Sequence, residues 1–155
     1  MGICFSKYPD SKYLPQALDV KLLPVFIPPI NSGRVIKVYD GDTITIASKI
    51  PNLKNSQIYK FSIRLNGIDT PEIKGSNEDE KKIAILARDA LSEKIMGKDV
   101  YLKNIKFEKY GRLLCDVYYE NLNLNNWMIE NKYAVIYDGG TKKSPESWSD
   151  YFYNK

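Results

Sequence analysis

Two apolar runs that meet at Asp40-Gly41 constrain this chain more than any other stretch. Val35, Ile36 and Val38 lead into the dipeptide, and Thr43 to Ala47 leaves it with Ile44 and Ile46 on one face. Asp-Gly between such runs is a hairpin signal, because both residue types tolerate the backbone angles of a tight reversal. A third run, residues 57–65, holds Ile58 and then an alternation of Phe61, Ile63 and Leu65. The intervening Pro51 to Ser56 reads as loop. The chain therefore commits early to antiparallel strands.

Residues 77–96 change period. Ile83, Leu86, Ala87, Ala90, Leu91 and Ile95 fall at spacings of three and four, which predicts an amphipathic helix. Ser76 and Asp79 suit its start and Gly97 its stop. Residues 99–107 and 112–119 are again β-rich and are joined at Tyr110-Gly111. Residues 122–131, with Leu124, Trp127 and Met128, suit a second helix. Ser144-Pro145-Glu146 reads as the start of a third, with Trp148, Tyr151 and Phe152 on one face. This order predicts an α+β fold, mainly β: a five-stranded Greek-key barrel of the OB type with about three helices.

A chain of 155 residues fits one domain with a short appendage. Pro9, Pro15, Pro24, Pro28 and Pro29 break both helix and ladder, so residues 1–32 read as an arm and 33–155 as the domain. The apolar piece Leu22 to Ile30 is expected to pack on the domain surface. The arm begins Met1-Gly2-Ile3-Cys4-Phe5-Ser6, the pattern of N-myristoylation at Gly2, with Cys4 placed for a second acyl chain. Two chains hold a membrane where one binds only marginally. The expected location is the cytoplasmic side of a membrane, held by that lipid anchor, and otherwise the cytoplasm. No run approaches the roughly 18–20 apolar residues of a span, and the basic and apolar regions of a secretory signal are missing at the start.

The chain has no histidine, which excludes Ser-His-Asp and Cys-His catalysis and His-based zinc sites. Acid–base work falls to carboxylates, Lys or Tyr. Cys4 and Cys115 are far apart and imply no disulfide framework. The net charge of +4 favours a polyanionic partner without showing one.

Against that background, one set of residues is complementary. Asp42 and Asp69 offer a divalent cation anionic ligands, and the Thr70 carbonyl offers a neutral oxygen, an oxygen-only set that suits Ca²⁺ or Mg²⁺ over zinc. Arg64 and Arg112 can take phosphate oxygens bidentately, where Lys109 acts as a point charge. Glu72 lies close enough in sequence to Thr70 to hold a water near such a cation. Singly, each has an ordinary explanation: turn aspartates bond locally, and basic residues at a hairpin tip are common.

Taken together, Asp40-Gly41-Asp42-Thr43, then Arg64-Leu65-Asn66-Gly67-Ile68-Asp69-Thr70-Pro71-Glu72, then Lys109-Tyr110-Gly111-Arg112 resemble the staphylococcal nuclease-like family, over about residues 33–137. The resemblance implies an OB barrel and hydrolysis of DNA and RNA phosphodiesters with one Ca²⁺ ion. It makes Asp42, Asp69 and the Thr70 carbonyl the calcium ligands, with Asp40 a nearby supporting acid. It makes Arg64 and Arg112 the phosphate-binding arginines, Glu72 the general base, and Lys109 and Tyr110 the contacts to a terminal phosphate. It also implies 3′-phosphate products. Single-stranded substrate is expected, because a small barrel groove does not enclose a duplex. No protein partner is expected, and the chain should be a monomer.

Two departures stand out. Glu108 replaces an aspartate of the family's best-known member. Asp138 to Lys142 replaces a segment that supplies base-stacking tyrosines, leaving Tyr137 as the candidate there. The acylation signal is similar to that of the membrane-anchored eukaryotic calcium-dependent nucleases. The rival expectation is a catalytically weak nucleic-acid-binding or interaction module on the same barrel. Such a module would not need Asp42, Asp69, Glu72 and Arg64 at once.

Overall fold

The computed structural model describes residues 17–75, 77–108, 110–141 and 144–154. In chain order these form β1 (Ser32–Val38), β2 (Thr43–Lys49), β3 (Ile58–Leu65), β4 (Ile68–Asp69), α1 (Glu78–Ile95), β5 (Asp99–Phe107), β6 (Leu113–Tyr119), β7 (Leu122–Asn123), α2 (Leu124–Glu130), β8 (Val135–Ile136) and α3 (Trp148–Tyr153). The long strands lie in the order β3-β2-β1-β5-β6, and a parallel β3–β6 pairing closes them into a five-stranded barrel. Mainly β, with three helices among the described residues, this is the expected OB-type architecture.

The barrel interior is what the alternation demands. Ile44 and Ile46 of β2, Ile63 and Leu65 of β3, Val100 and Leu102 of β5, and Leu113, Cys115 and Val117 of β6 are all buried. β1 departs from simple alternation. Val35 and Val38 are both buried, three residues apart, while Ile36 is exposed. A register shift between Val35 and Lys37 against β2 accounts for it, since one extra residue turns the following side chain inward. Burial also raises the Cys115 thiol to about 12, which marks it as a core residue and not a reactive one.

α1 lays Ala87, Leu91 and Ile95 on the barrel core, and α2 adds Leu124 and Met128. Leu86, read as part of the apolar face, is exposed instead. The helix begins one residue later than the Ser76 reading placed it. Asn77 is the cap, its side chain accepting from the N–H groups of Asp79 at 2.9 Å and Glu80 at 3.4 Å, and Ser76 itself lies outside the described residues. Gly97 follows the last turn at φ +73, where a side chain would be strained. α3 also starts later than Ser144-Pro145-Glu146 suggested. Ser147 is its cap, accepting from Asp150 N–H at 3.1 Å.

The arm behaves differently from expectation. Val20–Leu22 makes one 3-10 turn, and Leu22, Leu23, Val25, Phe26 and Ile27 stay exposed; only Ile30 of that stretch is buried. Prolines 24, 28 and 29 supply no N–H to a ladder, and the segment reaches the barrel's hydrogen bonding only at Asn31, whose carbonyl accepts from Leu102 at 2.8 Å.

Five described polar side chains are buried: Asp42, Thr43, Asp69, Thr70 and Asn125. Asp42 and Thr70 line the cleft described below, and Thr43 and Asp69 lie behind its wall. The fifth, Asn125 on α2, is a structural pin. Its Oδ1 accepts from Val117 N–H at 2.9 Å, and its Nδ2 donates to the carbonyls of Asn66 at 2.7 Å and Cys115 at 3.3 Å. It thereby ties α2 to β6 and to the turn after Arg64. Asn125→Ala leaves a buried N–H without its partner and is expected to destabilise the fold by about 3 kcal/mol, read from urea denaturation. A loss under about 0.5 kcal/mol would contradict this role.

Candidate active site

The site starts from the hairpin. Asp40 turns the chain by accepting the Asp42 N–H on its Oδ1 at 3.1 Å. The Asp42 carbonyl then takes the Leu65 N–H at 2.8 Å, which fastens the turn to the end of β3. β2–β3 pairing places Thr43 opposite Arg64. Because Ile63 and Leu65 face the core, Arg64 points the other way, toward the turn.

There its guanidinium meets two carboxylates. Nη1 forms an ion pair with Asp42 Oδ1, and Nη2 lies 3.6 Å from Asp69 Oδ1 and donates to the Ile68 carbonyl at 3.3 Å. Thr43 and Thr70 hydroxyls donate to the two oxygens of Asp42 at 2.8 and 3.2 Å. Asp69 owes its direction to the short β4–β8 pair, in which it sits opposite Val135. Asp42 and Asp69 are almost fully buried, and Arg64 nearly so.

Arg112 approaches from the β5–β6 turn. Gly111, at φ +85, allows that turn to close, with the Glu108 N–H donating to the Arg112 carbonyl at 2.9 Å. The Arg112 guanidinium is held by both oxygens of Glu108, at 2.6 and 2.8 Å, and reaches the Thr43 hydroxyl at 3.3 Å. These bonds to Glu108 raise its pKa above the ordinary arginine value. Glu72 is exposed, and its backbone N–H donates to Glu80 Oε1 in the first turn of α1 at 3.0 Å. That bond anchors the loop after Pro71 to a rigid helix.

The result is a cleft of about 930 Å³ whose walls include Asp40, Asp42, Arg64, Glu72, Tyr110 and Arg112, with Thr70 and Tyr137. Of the residues singled out in the sequence, these line one space. Asp69 does not line it; it is buried beneath the wall, beside Arg64. Lys109, Gly2 and Cys4 lie outside the described residues. Tyr137 is steadied by its hydroxyl, which donates to the Gly140 carbonyl at 3.0 Å. Sequence reasoning missed three supports: Thr43, whose hydroxyl sits between Asp42 and Arg112; Glu80; and the clamp that Glu108 places on Arg112. Thr43 was legible from its place beside Asp42, but Glu80 reaches across from another element and left no local signal.

The donor set suits a hard cation. Among the described residues no group of three or more His, Cys, Asp and Glu is arranged to hold a metal. Asp42 and Asp69 are oxygen donors of the type a hard cation such as Ca²⁺ takes. The charge balance points the same way. Two buried carboxylates share one guanidinium, and Asp40 adds a third acid beside them. Its pKa is pushed up to about 6, first by burial and then by the Asp42 charge.

The profile of the staphylococcal nuclease homologue family matches residues 62–152. The chain belongs to this family. An uncharacterized endonuclease of Escherichia coli O157:H7 is 30% identical over 128 residues, covering 82% of this chain and 74% of the relative. An uncharacterized endonuclease of Haemophilus influenzae is 34% identical over 107 residues, 69% of this chain and 53% of that protein. A probable endonuclease of Schizosaccharomyces pombe is 30% identical over 131 residues, 69% and 56% of the two chains. The family match spans β3 to α3 and so includes Arg64, Glu72 and Arg112, while the hairpin with Asp42 precedes it.

Proposed function

We propose that this chain is a calcium-dependent nuclease that hydrolyses DNA and RNA phosphodiesters, prefers single strands and leaves 3′-phosphate ends. The observation that carries the reading is the convergence of Arg64, Glu72 and Arg112 on one cleft beside the buried pair Asp42 and Asp69. Endonuclease names among the relatives support it.

Asp42, Asp69 and the Thr70 carbonyl would hold the ion. When bound there, calcium supplies positive charge against a phosphate oxygen. The chain's own groups do the rest. Arg64 and Arg112 grip the non-bridging oxygens and offset the charge that grows on them. Glu72 orients a water and accepts its proton as the water oxygen bonds to phosphorus. The bond from phosphorus to the 5′ oxygen breaks as that oxygen takes a proton from a second solvent water, leaving a 5′-hydroxyl. Tyr110 and Lys109 contact the terminal phosphate of the bound strand. Without histidine, Glu72 is the carboxylate placed for that proton transfer.

The test is hydrolysis of single- and double-stranded DNA and RNA in calcium, with end-group analysis of the products. Cleavage to 3′-phosphate ends, faster on single strands, is expected. A chain that binds these polymers but cuts none would be a binding module instead.

We further place the chain on the cytoplasmic side of a membrane, held by acylation of Gly2 and Cys4. The sequence pattern supports this, and none of the described helices is long and apolar enough to cross a membrane. Gly2→Ala is expected to move the protein from the membrane to the soluble fraction and to abolish myristate incorporation. Equal fractions for both forms would contradict the anchor.

A further inference from the structure

Tyr39 immediately precedes the Asp40 turn, and its N–H donates to the Thr43 carbonyl at 2.9 Å, which fixes its backbone to the hairpin of the cleft. Tyr39 is 44% exposed as a whole residue. Two lysines from different segments converge on it: Lys37 Nζ lies 5.3 Å from the ring centroid and Lys74 Nζ 5.8 Å. Lys74 comes two residues after Glu72, and the neighbouring Tyr39 raises its pKa. Both lysines are exposed.

This arrangement lies outside the cleft, against the wall that carries Asp40 and Glu72. That wall is acidic, and a polyanion passing it meets repulsion unless cations stand beyond it. Arg64 and Arg112, each paired with a carboxylate, lie inside the cleft and serve the phosphate there. Lys37 and Lys74 are exposed cations close to that wall, and both ammonium groups stand over the ring of the half-exposed Tyr39, where an incoming base would take their place. An aromatic ring flanked by cations is the chemistry that holds single-stranded nucleic acid, one base stacking on the ring and the adjoining phosphates pairing with the ammonium groups.

We propose that Tyr39, Lys37 and Lys74 form a second substrate subsite, a stacking platform that receives one nucleotide of a single strand as it leaves the cleft past Asp40 and Glu72. The inference rests on the nuclease reading and names where the strand continues.

The test uses a labelled single-stranded oligonucleotide of about ten nucleotides, with binding read by anisotropy in chelator and turnover read in calcium. Tyr39→Ala is expected to weaken binding about five- to thirty-fold. KM should rise with kcat held, and the loss should be larger on the oligonucleotide than on a dinucleotide. Tyr39→Phe keeps the ring and should bind close to wild type. Replacing Lys37 and Lys74 with Ala should lower the salt dependence of binding by about 0.7 per lysine. Wild-type affinity in Tyr39→Ala would overturn the platform. So would a Phe variant as weak as the Ala variant, which would make Tyr39 a strap between the hairpin and the Glu72 loop through its hydroxyl. A wild-type chain that neither binds nor cuts would overturn the nuclease reading itself, a result distinct from either.

Discussion

Arg64→Gln is expected to lower kcat by about a thousandfold, the scale seen when a preorganised donor to a charged transition state is removed. It should also do something a surface arginine would not. Arg64 is the counter-charge for Asp42 and Asp69, both buried. Removing one partner of a buried ion pair strands the others, so the variant should lose about 3–5 kcal/mol of stability in chelator. Calcium should recover part of that loss if the two carboxylates hold it. Arg64→Lys separates the two roles. It restores a positive charge and should regain more stability than rate, because an ammonium cannot reproduce the planar fork that grips two oxygens. Melting temperature and single-turnover rate, measured with and without calcium, check both parts. A variant with full rate would remove Arg64 from the mechanism.

Glu72→Gln is the second large effect, and its signature is the opposite. The side chain is exposed on the cleft wall, so stability should change little. The variant keeps a hydrogen-bonding group but cannot accept a proton, and kcat is expected to fall by about 10²–10⁴-fold with KM nearly unchanged. The Glu72 loop is anchored through its backbone to Glu80, so Glu80→Ala should cost less, by loosening the position of the base. Wild-type turnover in Glu72→Gln would show that another group takes the proton.

The parts of this architecture that could be read ahead were those that repeat. β2 and β3 alternate where they cross the core, at Ile44 and Ile46 and at Ile63 and Leu65, and that same alternation puts Arg64 on the face away from Ile63 and Leu65, while Ile58 at the start of β3 stays exposed. α1 announces itself through Ile83, Ala87, Leu91 and Ile95, which return to one face every turn. What escaped had no period to show. The bulge at Ile36 depends on how β1 pairs with β2 on one side and β5 on the other. The β4–β8 pair has two residues per strand, too few for any pattern, yet it aims Asp69. Asn125 looks like any helix asparagine until β6 closes over it.

The site divides the same way. Asp42, Arg64, Glu72 and Arg112 stood out because their residue types complement a cation and a phosphate. Their supports, Thr43, Glu80 and Glu108, become visible only when the barrel brings separate segments together. Glu108 changes the account most. It holds Arg112 bidentately, so a phosphate must share or displace that carboxylate to be gripped. The packing expected of the arm's apolar piece failed for a physical reason as well. Apolar content suggested packing for Leu22 to Ile27, but prolines keep that stretch from pairing, and its side chains remain exposed.

The central claim is that two buried carboxylates and a backbone carbonyl hold a calcium ion on which phosphodiester hydrolysis depends. The most direct measurement is the initial rate on single-stranded DNA for the wild-type chain, first in chelator and then after calcium is restored. The account predicts loss of cleavage in chelator and full recovery with calcium, with no recovery in Asp42→Ala at the same concentration. Undiminished cleavage in chelator would contradict it.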